Sequence, residues 1–213
     1  MPLRNQLADF DQDSVMADAE PYSAAAREGA CLNFSLRWLA MMYESADSGG
    51  AMQRMRQLAV RAGAESRVLQ GAYVRALAES GQLDAVERVA TFRGLHMTRE
   101  ILNFSPFNRG ALTAALDQTD TAGMLYCAFW GGANHQSQGH GIGFFRNLQT
   151  RMGRSIKADR NVVAFDPNNG ECWIEEGLLG GWSDDFARQT TRHAHDAGSD
   201  NFGYHWLIGF RPA

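Results

Sequence analysis

The sequence predicts an α+β domain, helices first and a largely antiparallel sheet after them. Three observations carry that prediction. The chain has 213 residues, a length that one core can still fill. Hydrophobic residues make up 45% of it and charged residues 21%, the balance of a chain that buries a core rather than of a disordered or linker-like one. Helical apolar spacing runs to about residue 118, and short aromatic or β-branched runs bounded by Gly and Asn replace it afterwards. That order of segments is the α+β order.

Residues 1–22 are polar and acidic up to Pro21 and predict a flexible lead-in to a single domain over 23–213. Residues 31–44 (CLNFSLRWLAMMYE) are apolar nearly all round, the pattern of a buried helix. SADSGG at 45–50 ends it. A second helix, 51–62, alternates Met and Arg and predicts a half-exposed surface, with Arg54, Arg56 and Arg61 on its solvated face. A third spans about 66–80 and stops at Gly81. Residues 83–94 have no decisive period, and 95–104 fit a strand or a short helix. Ser105-Pro106 stops that element, because the residue before proline avoids the α region. One more helix is expected at 109–118, then strands at 124–130, 141–148, 161–166 and 171–176, a short helix at 183–194 and a closing strand at 202–210.

Charge and cysteine usage narrow the function. Lys plus Arg is 20 against 24 Asp plus Glu, a formal net charge of -4. No basic excess is available to hold nucleic acid or an anionic membrane surface. A protein or a small molecule is the expected partner. Cys31, Cys127 and Cys172 are few, odd in number and without a CxxC pair, so neither a disulfide framework nor a zinc site is expected, and no cofactor is called for. No apolar run approaches the length of a membrane span. The first twenty residues lack the apolar core of a secretory signal, so export would need another route.

Three features could carry chemistry. Cys31 opens the buried helix. A helix N-terminus offers free backbone N–H groups and the positive end of the macrodipole, which stabilise a thiolate and can bind an oxyanion. Alone, Cys31 also reads as a small packing residue. His140, in GHGIGFF (139–145), opens an apolar strand between glycines that leave room for a substrate backbone. Its bland reading is a strand histidine bonded to a carbonyl, and His135 in the preceding Gly/Asn/Gln-rich loop is its rival. Asp166, in AFDPNNGE (164–171), ends a strand at a turn; it is either a turn initiator or a carboxylate that orients a histidine. Together they make a Cys–His–Asp set: nucleophile, base and orienting carboxylate. Cys127 and Cys172 read as strand packing. His193 and His195 lack a third ligand group and read as a helix end or loop.

GACLNFSLRWL (29–39), HGIGFF (140–145) and FDPNNGE (165–171) resemble the YopT-like cysteine proteases, papain-like bacterial effectors delivered into host cells. The resemblance implies a papain-like fold with Cys31 as nucleophile, His140 as general base and then acid, and Asp166 as its orienting residue. It implies core packing for Trp38 and Leu39. It also implies a host protein as substrate, no cofactor, and secretion without a classical signal peptide into the host cytoplasm. Two departures stand out. PYSAAAREGA (21–30) holds no Gln or Asn to serve as an oxyanion donor, and the interval between His140 and Asp166 is long. RNLQTRMGRSIKADRN (146–161) is expected to absorb that length as an extended β-hairpin loop. The same three residues would also serve a peptidoglycan amidase, or a glutamine deamidase or acyl transferase, and an inactive binding module could keep the fold.

Overall fold

A computed structural model describes residues 5–18, 30–46, 48–103, 108–118, 122–131, 137–146, 148–151, 154–157, 161–196 and 202–213. The strands are β1 (Asn5–Ala8), β2 (Leu95–Asn103), β3 (Gly123–Gly131), β4 (Ser137–Phe145), β5 (Leu148–Arg151), β6 (Arg154–Lys157), β7 (Val162–Asp166), β8 (Gly170–Ile174) and β9 (Phe202–Pro212). Seven of them form one sheet in the order β1-β8-β7-β4-β3-β9-β2. Every neighbouring pair in it is antiparallel. Among the described residues β5 and β6 pair with each other alone, as the hairpin expected between β4 and β7.

Both faces of the sheet are covered, and β3 shows how. Leu125 and Cys127 point into one apolar cluster, while Met124, Tyr126 and Ala128 point into another, because successive side chains of a strand face opposite ways. The first cluster is roofed by α1 (Gln12–Asp18), α2 (Ala30–Glu44), α3 (Ala51–Ser80) and α4 (Gln82–Phe92). The second is covered by α5 (Arg109–Gln118) and α6 (Leu179–Asp196), through Leu112, Leu116, Trp182 and Phe186. α2 is buried along nearly its whole length, as its all-round apolar sequence predicts, with Trp38, Leu36 and Leu39 fully inaccessible.

Several elements differ from expectation. The lead-in expected over 1–22 contributes β1, paired to β8, and α1, whose Gln12 N–H donates to the Pro167 carbonyl at 2.8 Å. Gln6 and Phe10 supply the anchors: the Gln6 amide donates to Asn169 O at 2.7 Å, and the Phe10 ring packs edge-on to Phe34 and Phe165. The two helices expected at 51–62 and 66–80 are one helix; Gly63 and Gly71 cost it about 1 kcal/mol each relative to Ala, too little to break an Ala-rich run without proline. Residues 83–94 resolve as helix over 82–92, and 95–104 as strand over 95–103. Arg54, expected on a solvated face, is 5% exposed because it meets a buried carboxylate.

Candidate active site

Cys31 is the second residue of α2, in the first turn, where backbone N–H groups have no intrahelical acceptor. Two glycines bring that turn onto β4. A Cβ at Gly143 would lie 2.6 Å from the Trp38 ring, and one at Gly141 would lie 3.3 Å from Leu32 Cα. The alternating glycines of HGIG therefore leave the face of β4 bare where the helix lies. β7 pairs with β4 only at Gly143, Phe144 and Phe145. Past that point α2 occupies the strand's edge: Ser35 Oγ donates to Gly141 O at 2.9 Å, and Cys31 Sγ sits 3.7 Å from Gly139 O.

His140 stands between those two carbonyls in the chain, and its Nε2 lies 3.0 Å from Asp166 Oδ1. Both side chains are 18% exposed. With Nε2 committed to Asp166, Nδ1 is the ring nitrogen left for the thiol. The turn after β7 fixes the carboxylate: the Asn168 backbone N–H donates to Oδ1 at 2.9 Å and the Asn169 amide to Oδ2 at 2.7 Å. Gly170 closes this turn at φ +95°, where a Cβ would strike Ala8 O at 2.1 Å. Only glycine combines that backbone with that contact.

The charges reinforce one another. Burial opposes an imidazolium at His140, but the charge and hydrogen bond of Asp166, with a contribution from the adjacent Cys31 side chain, outweigh it and raise the ring to about 10. Burial likewise opposes the Asp166 carboxylate, and His140 with the two asparagine donors overcomes it, holding the group at about 2. The arrangement can hold a cation beside a thiol at a helix N-terminus, with one ring nitrogen free to move a proton.

Thus Cys31, His140 and Asp166, the three residues singled out in the sequence, come together. Cys127 and Cys172 are buried strand residues on opposite faces, and burial raises the Cys127 thiol far above its usual range. His135 lies outside the described residues. His193 and His195 fall in α6, and among the described residues no group of three His, Cys, Asp or Glu could hold a metal ion. No described helix is long and apolar enough to cross a membrane. Sequence reasoning passed over Asn168 and Asn169, read only as turn residues, although Asp-Pro-Asn-Asn is a pattern in which following amides bond the Asp side chain. It also passed over Glu171, and over Tyr73 of α3, a largely buried phenol whose proton burial holds on, with the Cys127 and Cys31 thiols adding to the effect.

Comparison with known proteins places this fold. No family model matches the chain, and no curated protein matches it in sequence. The crystal structure of the Pseudomonas avirulence protein AvrPphB, a YopT-like cysteine protease, aligns with a TM-score of 0.57 over 92% of this chain and 98% of that one, at 19% identity. The likeness is one of fold: helices packed on a large antiparallel sheet.

Proposed function

We propose that this chain is a cysteine protease in which Cys31 is the nucleophile, His140 the acid and base, and Asp166 the residue that orients His140. The observation that carries the reading is the His140–Asp166 hydrogen bond, formed where the first turn of α2 brings Cys31 beside the same ring. Cys31 Sγ would attack a peptide carbonyl carbon, with the free N–H groups of the α2 N-terminus facing the developing oxyanion. His140 would give its proton to the departing amine as the C–N bond breaks, leaving a thioester. The neutral ring would then take a proton from water as that water attacks the thioester; the C–S bond breaks, releasing the carboxylic acid and leaving the Cys31 thiolate beside the regenerated imidazolium. A polypeptide in a host cell is the substrate that the fold's effector relative suggests. The reading calls for no cofactor.

Alkylation by iodoacetamide, mapped to each cysteine by mass spectrometry between pH 4 and 9, tests it. Cys31 is expected to react fastest at neutral pH, and His140→Ala to slow it by about tenfold or more, up to the ~30-fold between a full thiolate and the few per cent of an ordinary thiol at pH 7. A Cys31 as inert as Cys127, or indifferent to His140→Ala, would refute the mechanism.

A further inference from the structure

Glu171 is a wholly buried carboxylate on β8, and among the described residues its side-chain donors come from the helical layer. Trp38 Nε1 donates to Oε2 at 2.8 Å, Arg54 Nε to the same oxygen at 2.9 Å, and Arg54 Nη2 to Oε1 at 2.5 Å. The remaining Arg54 arm reaches Ser45 O, at the end of α2, at 3.1 Å. Across the hairpin, Glu171 pairs with Phe165, the residue before Asp166, and the Phe165 ring stacks on Trp38 at 5.6 Å. The group thus joins the two parts of the candidate site: α2, which carries Cys31, and the β7–β8 hairpin, which carries Asp166.

For stability alone such a pair is a poor choice, because apolar residues of the same volume commonly serve as well or better. A bidentate guanidinium–carboxylate pair does something that apolar packing does not: it fixes a plane and a distance. Trp38 lies seven residues along α2 from Cys31, or about 10 Å at ~1.5 Å per residue, so the pair is too far away to touch a substrate. We propose that Glu171 and Arg54 are positioning residues: through Trp38 they lock the Asp166 hairpin in register against the Cys31 helix and so set the geometry between His140 and its carboxylate. This rests on the protease reading for its consequence in catalysis.

The test compares wild type with R54M/E171L, which removes both charges together and keeps apolar volume, and with R54K, which keeps charge but loses the fork. Two readouts that global stability does not move are taken below each variant's melting temperature: the His140 imidazole titration by NMR, and the Cys31 alkylation rate at pH 7. In folded R54M/E171L the His140 midpoint is expected to fall by about one pH unit or more, as its carboxylate moves away. Cys31 alkylation is expected to slow by about tenfold, within the ~30-fold between a full thiolate and the few per cent of an ordinary thiol at pH 7. R54K should fall between. A folded R54M/E171L with wild-type titration and wild-type alkylation overturns the proposal; if that variant does not fold, wild-type values in R54K overturn it. Failure of the protease reading is a separate outcome: His140→Ala would then leave Cys31 alkylation unchanged in the otherwise native chain, while the His140 titration still reports on the clamp.

Discussion

Replacing Gly143 with alanine tests how closely α2 must lie on β4. The added Cβ would stand 2.6 and 2.8 Å from two carbons of the Trp38 ring, whereas carbon contacts are most favourable at about 3.5–4.0 Å. Roughly 1 Å of movement is therefore required. Trp38 has little freedom to supply it: its ring nitrogen donates to Glu171, its ring stacks on Phe165, and the residue is fully buried. Either α2 lifts from the sheet or the ring leaves its site. Overpacking of this kind costs about 1–3 kcal/mol, which at about 2–4 °C per kcal/mol for a domain of this size is a readable drop in melting temperature. Because the shift separates the Cys31 turn from the His140 strand, the Cys31 alkylation rate at pH 7 should fall by as much as ~30-fold, the step from a full thiolate to the few per cent of an ordinary thiol. In a Trp38→Phe background, which itself loses the bond to Glu171, the same Gly143→Ala change should cost less than in wild type, since the smaller ring vacates the contested space. A Gly143→Ala protein that melts with wild type and alkylates at the wild-type rate would show that the contact is slack and that the glycine has another purpose.

Three further outcomes follow from the geometry. The His140–Asp166 pair should stabilise the fold most between about pH 4 and 6.5. The His140 contribution is complete below its unfolded value and is lost as pH rises toward about 10, and the Asp166 contribution is lost as pH falls from its usual 3.8 toward about 2. Thermal melts of Asp166→Asn against wild type should show both limbs flattened. His205 is buried, accepts or donates a 2.7 Å hydrogen bond with the Tyr126 hydroxyl, and is held down to about 4 by burial. It folds neutral, so its contribution is lost as pH falls from about 6.5 toward 4, and His205→Gln should lessen the wild type's loss of stability across that interval. Asn169→Ala removes the 2.7 Å donor to Asp166 Oδ2; it should destabilise the fold by about 1–2 kcal/mol and move the acid limb upward. An unchanged acid limb would mean that the amide is dispensable to the carboxylate.

What the sequence disclosed depended on how local the signal was. The buried helix at 31–44 was legible because twelve of its residues from Ala30 to Met42 are inaccessible and its apolar positions run all round. Cys31 and Asp166 were legible because each sits at the end of an element, and His140, inside β4, because glycines flank it on both sides. Arg54 was misread for the opposite reason. On α3 it has the spacing of a surface arginine, and its partner lies 117 residues away in a strand, so nothing nearby in sequence marks it as buried. The edge strand β1 was lost for a similar reason: Asn5–Ala8 is too short and too polar to read as a strand, and it holds its place by pairing with β8 and by the fit of Gly170 beneath Ala8.

The candidate site then resolves into three separate constraints, each met by residues that would take no part in the chemistry. Gly141 and Gly143 set how near α2 comes to the sheet, since any side chain there would hold the helix off. Glu171 and Arg54 set where the Asp166 hairpin lies along α2, because a two-pronged bond admits one register. Asn168 and Asn169 set the rotation of the carboxylate, so that Oδ1 faces His140 while Oδ2 is held from behind. No one of these can replace another: a hairpin in register at the wrong height leaves His140 out of reach of Cys31, and a helix at the right height with a free carboxylate leaves the ring unoriented. Asp166 is therefore held by contacts from β4, from its own turn and, through Glu171, from α2 and α3. A carboxylate that served only to begin a turn would need the second of these alone.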